Sequence, residues 1–339
     1  MAVRTGAHAY LKYGWEGDTF GVMASGESVD KKFGLNDKFT SLTLTNNRMN
    51  IPELNRNTYK SFAYGQQAGT ANVGFTLSNP WIFGTVLGAP NSPSSSSGTY
   101  TYTWETDPSV SGSNVAFSLP KAPRTIQIDA AVNGASADVR RTFKGCLVNS
   151  LNISASVGGT VDCSADISYG SESAPSTSLG SAPTVPNVEF PYTFAHAELR
   201  VGGQEILRVQ DAAINLTQNA ELLYALDSHQ AVDAFKRTLD ITGSFTSAWK
   251  DKTLLEETLE QIKQGTSSGT YSETVGGSPE FRLTFERSAT EKIVITGSGL
   301  SISEYGLSGY EAVNPLFEDI TWQMKNVQVQ ALNNQSAEE

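Results

Sequence analysis

Two cysteines and three histidines in 339 residues leave little material for a disulfide framework, a zinc site or histidine acid–base chemistry. No run approaches the roughly 18 consecutive apolar residues of a membrane-spanning helix. The opening Met1-Ala2-Val3-Arg4-Thr5-Gly6 lacks the apolar run of a secretory signal, so neither membrane insertion nor secretion is expected. Positive charge is also short. With 24 Lys and Arg against 35 Asp and Glu the net charge is -11, which argues against gripping nucleic acid by phosphate neutralisation. The glycine-rich segments Val201-Gly202-Gly203-Gln204 and Val275-Gly276-Gly277-Ser278 lack the Lys and Ser/Thr of a phosphate loop and read as hairpin turns. No G-x-S-x-G elbow joins an expected strand to an expected helix. His8 and His196 stand beside expected strands in structural roles, and His229 falls in a loop. No catalytic residue, cofactor or metal site is expected.

What is present is a β texture: short alternating segments punctuated by 30 glycines and many Ser, Thr and Asn. The clearest runs from Leu147 to Tyr169. Leu151, Ile153, Ala155 and Val157 alternate with Ser150, Asn152, Ser154 and Ser156. After Gly158-Gly159-Thr160 the pattern resumes with Val161, Cys163, Ala165 and Ile167 against Asp162, Ser164, Asp166 and Ser168. A three-residue loop opposes Val157 to Val161, Ala155 to Cys163, Ile153 to Ala165 and Leu151 to Ile167, making one face apolar and the other Ser, Asn and Asp. In that register Cys146 has the opposite parity from Cys163, and no disulfide is expected.

Two short helices are expected. Residues 79–88 offer an N-cap Asn79, Pro80 at the first helical position and a closing Gly88; residues 251–265 carry the stripe Leu255, Leu259 and Ile262 and stop at Gly265. The chain also repeats itself. Ala7-His8-Ala9 matches Ala195-His196-Ala197, Leu44-Thr45-Asn46-Asn47 matches Leu216-Thr217-Gln218-Asn219, Phe75-Thr76 matches Phe245-Thr246, and Asp166-Ile167-Ser168 matches Asp319-Ile320-Thr321, all in one order. Length predicts two domains. They are placed at 1–170, with insertions near 15–35 and 88–120, and at 190–332. A Ser/Pro-rich linker (171–189) separates them and a flexible tail (333–339) follows.

Glu16-Gly17-Asp18-Thr19-Phe20-Gly21, Lys32-Phe33-Gly34, Leu42 to Asn47 and Asn72 to Trp81 together resemble the amino-terminal pattern of bacteriophage tail tube proteins; Ile214 to Glu221 followed by Leu239 to Phe245 is similar to the family's strand pair before the helix. The resemblance implies an all-β chain with one short flanking helix per domain, built as two tandem β-barrel or sandwich domains. It implies a structural virion protein rather than an enzyme, assembled in the host cytoplasm into stacked rings around a DNA-sized channel. The duplication points to homotrimeric rings with pseudo-sixfold symmetry, a hexamer being the second choice, as in long non-contractile siphovirus-type tails. Phage DNA and the tape measure protein are the implied partners inside the lumen, without specific nucleic-acid binding. Asp162, Asp166 and Asp319 are the candidate lumen-facing acidic residues, a negative wall repelling phosphates. A decoration or baseplate subunit and a carbohydrate-active β-sandwich enzyme are the alternatives, the latter requiring two carboxylates across a cleft.

Overall fold

The computed structural model describes residues 9–54, 58–63, 65–106, 124–132, 139–177, 190–201, 204–206, 208–249, 280–309 and 315–334. The first half contributes β1 (Ala9–Trp15), β2 (Leu35–Asn46), β3 (Met49–Ile51), β4 (Ser61–Ala63), β5 (Gln67–Thr76), α1 (Phe83–Leu87), β6 (Ser94–Ser96), β7 (Thr99–Glu105), β8 (Ile126–Val132), β9 (Val139–Ser156) and β10 (Val161–Glu172). The second contributes β11 (Ala197–Val201), β12 (Gln204–Glu205), β13 (Val209–Thr217), β14 (Glu221–Tyr224), β15 (Ala231–Phe235), β16 (Asp240–Ala248), β17 (Phe281–Ser288), β18 (Glu291–Ser298), β19 (Ser301–Ser308), β20 (Phe317–Met324) and β21 (Asn326–Asn333). The chain is all-β, as expected, and the described helix is α1; the expected helix at 251–265 lies outside the described residues.

The larger sheet follows β19-β20-β16-β13-β9-β10-β5-β2, with β1 and β8 attached through β9. The smaller follows β12-β11-β17-β18-β21-β7-β6, while β14–β15 and β3–β4 are separate hairpins. All ladders among the described residues are antiparallel, and period-two burial explains their faces: β20 buries Glu318, Ile320, Trp322 and Met324 and exposes Asp319, Thr321 and Gln323. The buried side chains form one contiguous cluster from Leu11 to Ala331, filled by Trp15, Trp81, Trp104 and Trp322. Glycine admits the largest of these. An added Cβ at Gly69 would strike the Tyr169 ring, and one at Gly243 the Trp322 ring; in each case the aromatic lies over the glycine opposite it in the neighbouring strand.

The β9–β10 hairpin keeps the expected faces but not the expected register. Val161 pairs with Ala155, Cys163 with Ile153 and Ala165 with Leu151, so the loop is two residues longer than a three-residue turn and Val157 falls within it. Gly158 takes φ 79° and Gly159 N donates to Ser156 O at 3.0 Å. A slip of two preserves parity, which is why alternation could not detect it. A bulge between Asp166 and Ile167 then sets Ile167 against Val148 and Cys146 against Tyr169, overturning the parity argument for Cys146. Both thiols are nevertheless free and buried, and burial pushes each well above its ordinary pKa.

The 79–88 segment is shorter as a helix than its end signals suggest. Asn79 Oδ1 accepts Trp81 N–H at 3.2 Å, but Phe83 N and Gly84 N reach back only to Pro80 O and Trp81 O, the tighter three-residue spacing. Gly88, at φ 86°, closes the helix onto Gly84 O. The 15–35 insertion folds back onto the first half: Glu16 accepts Gly21 N at 3.0 Å and Gly145 N at 2.7 Å, and Phe33 is buried.

Two buried tyrosines make the fold's stability depend on pH in the alkaline range. Burial pushes Tyr169 and Tyr192 from 10.0 up to about 12; Glu172 adds to the first shift and Arg287 opposes the second. Because the folded-state value is the higher, their contribution is intact below pH 10 and is lost as pH rises through about 12. Denaturant midpoints measured from neutral pH to 12 should fall in that window, and Tyr192→Phe should make the fall shallower.

Candidate functional site

The outward face of the larger sheet is a carpet of small polar side chains carrying carboxylates. Pairing places the three sequence-predicted aspartates on it together. Asp166 lies between Asn72 of β5 and Ser150 of β9 and accepts from both, at 2.5 and 2.8 Å. Asp162 lies between Thr76 and Ser154 and accepts from the Thr76 and Thr160 hydroxyls at 3.2 and 2.9 Å. Asp319 pairs with Thr246 and accepts from Thr246 and Ser308 at 2.9 and 3.2 Å. The rung Asp319–Thr246–Asp211–Ser156 runs through β20, β16, β13 and β9, and Ser156 shares its face with Ser154 and hence with Asp162. All three aspartates are exposed, and hydroxyls and an amide donate to them, so their charge is held in place without being neutralised.

Asp211, Asp240 and Glu304 share this face and were not singled out in the sequence. The alternation of Asp211 to Thr217 and of Asp240 to Ala248 contained the signal for the first two. Pairing sets Lys38, at the β2 edge, on the same face as these six carboxylates. At one end the carpet is covered by β14–β15: a Cβ on Gly170 would stand 3.1 Å from the Ala231 Cβ, with the Phe20 ring nearer still at 2.8 Å.

The second feature is a seam. The order β2-β5-β10-β9 is followed by β13-β16-β20-β19, and the two runs meet where β9 pairs with β13: Leu151 with Leu216, Ile153 with Ile214, Asn152 with Asn215. The four apolar residues are buried. Gln218, fully buried beside the seam, donates through Nε2 to Thr85 O at 2.9 Å and Val148 O at 2.6 Å. At the far edges, among the described residues, β2 pairs only with β5, and β19 only with β20. Both edges are bulged, β2 next to Lys38 and β19 between Ile302 and Glu304.

Little in the described residues suggests chemistry. His196 Nδ1 lies 3.2 Å from Thr193 Oγ1, but it also accepts Thr193 N–H at 3.1 Å, which makes it a cap on a short 3₁₀ turn. His8 lies outside the described residues, and His229 is exposed, its carbonyl accepting from Gln67 N. No group of three His, Cys, Asp or Glu among the described residues could hold a metal ion. No described helix is long and apolar enough to cross a membrane. A cavity of about 340 Å³ between β9, β11 and β13 is lined by Ala155, Leu199, Val209 and Leu283, with Glu198 and Glu205 on its wall; Arg200 engages Glu198.

A family model described as phage tail tube protein matches residues 6–323, nearly the whole chain. Comparison with curated proteins gave no match.

Proposed function

The chain belongs to the phage tail tube protein family, and from that premise we propose that three copies close into a pseudo-sixfold ring, that rings stack into a hollow tube, and that DNA passes through it on ejection. Membership makes the chain a structural component of the virion tail. The finer reading takes the chain as two like domains, 1–170 and 190–332, assembled in the host cytoplasm for a long non-contractile tail. Tape measure protein and then DNA occupy the lumen. No step requires catalysis.

The observation that carries the reading is the seam. Within one chain β9 meets β13 edge to edge, and the chain's sheet ends on β19 at one side and β2 at the other. Repeating the same step between chains sets β19 of one copy against β2 of the next, and closure removes both open ends of the larger sheet's main path. The carboxylate carpet then lines one side of the closed wall, and we assign it to the bore. Phosphates there meet like charge held on short side chains and slide without counterion-release binding. Electron microscopy of concentrated protein tests the proposal: hollow filaments of uniform bore, with threefold symmetry in end-on rings, are expected. Monomers at every concentration would overturn it.

A further inference from the structure

We propose that the β3–β4 hairpin is a clasp that seats on a second copy of this chain, against Leu239 and Lys325. The inference rests on the ring reading above.

The connection from β2 to β5 carries the β3–β4 hairpin, and the connection from β13 to β16 carries β14–β15. The second hairpin is already seated, across the β9–β13 seam, on the first half. Gln67 N donates to His229 O at 2.8 Å, the Tyr224 hydroxyl donates to Gln67 O at 2.9 Å, and Lys236 Nζ donates to Val86 O at 3.1 Å. Ala231 closes on Gly170. Burial under this contact lowers the pKa of Lys236.

The first hairpin projects large apolar side chains into solvent: Met49 is 60% exposed, Ile51 42%, Leu54 92%, Tyr59 54% and Phe62 58%. Tyr59 and Phe62 rings lie 6.2 Å apart, an aromatic pair on the surface. Exposed apolar clusters of this kind mark interaction surfaces. The strand pairing identifies the occupant. Leu44 pairs with Gly69, and its counterpart Leu216 pairs with Ile241, so Gln67 corresponds to Leu239. Gly69 pairs with Tyr169 and Ile241 with Met324, so Gly170 corresponds to Lys325. When β2 joins β19 of a preceding copy as β13 joins β9, the β3–β4 hairpin arrives over Leu239 and the exposed Lys325 of that copy, as β14–β15 arrives over Gln67 and Gly170. Tyr59 stands as far beyond Leu44 as Ala231 does beyond Leu216, which puts it opposite Lys325.

Two measurements on the full chain test this. Replacing Ile51 and Phe62 by Ser should raise the concentration needed for ring assembly at least about tenfold, since each loses a large buried side chain at the contact. Both positions are exposed in one chain, so the melting of the monomer should not move. Tyr59→Cys combined with Lys325→Cys should, on mild oxidation of assembled protein, give disulfide-linked multimers; Cys146 and Cys163 are buried and contribute no background. If wild-type protein and the serine variant assemble at the same concentration and no link forms, the clasp is wrong and the ring stands. A link confined to single chains also overturns the clasp. Wild-type protein that never assembles overturns the ring and the clasp with it.

Discussion

Replacing Asp162, Asp166 and Asp319 together by Lys should give a tube that still assembles but holds DNA. The three side chains are exposed, and a few hydroxyl and amide hydrogen bonds anchor them. Losing those bonds costs about 1 kcal/mol each at most, because water replaces them at an exposed face. The electrostatic change is far larger. Each ring would exchange nine anchored anions for nine cations (three per chain in a ring of about three chains), and stacking repeats this along the bore. A protein making roughly 6–10 phosphate contacts loses about 10³–10⁵ in affinity between 50 and 200 mM salt, so a lysine-lined bore should bind duplex DNA strongly at low salt and release it as salt rises. Wild-type tubes should bind none across that range. Phage carrying the lysine triple should lose at least about a hundredfold in infectivity, with partial recovery at high salt. An Asp→Asn triple, which removes repulsion without adding attraction, should fall between. Lysine tubes that release DNA as freely as wild type would show that this face looks outward.

How much of this was legible beforehand follows from what parity can and cannot encode. Alternation in Leu151 to Ile167 fixed which side chains turn inward, because a misplaced face would bury Asp162 and Asp166. It was blind to a two-residue slip and to the Asp166/Ile167 bulge, since neither leaves a mark in the apolar pattern. The repeat pairing Leu44 with Leu216 marked strands in matching places of the larger sheet. Nothing in the sequence announced that β7 leaves the first half to pair with β21, Val329 opposite Trp104, because strand exchange between halves is decided by edge geometry rather than by any local pattern. The candidate aspartates were readable as polar-face residues. Their gathering with Asp211 and Asp240 depended on the β9–β13 seam, a contact between distant segments.

That seam also supplies the sharper test of assembly. Leu216 is fully buried where it meets Leu151, whereas its counterpart Leu44, on the open edge strand β2, is 50% exposed. In a single chain Leu44→Asp therefore places a carboxylate in contact with water and should cost the monomer less than about 1 kcal/mol. In a ring the same position faces β19 of the preceding copy, and the carboxylate must be stripped of water without a partner, a penalty of several kcal/mol at every joint between chains. Ring assembly should need at least about a hundredfold more protein, since roughly 2.7 kcal/mol lost per joint is already a factor of 100. Leu216→Asp should do the reverse. The penalty then falls inside the chain, so unfolding becomes several kcal/mol easier before any question of assembly arises. Sedimentation velocity and denaturant melts on the two variants read these outcomes separately: a folded monomer that does not close for Leu44→Asp, a destabilised chain for Leu216→Asp. Equal melting losses in both would mean that β2 already makes a buried seam within the single chain. Normal rings from Leu44→Asp would mean that the chains join by some other edge.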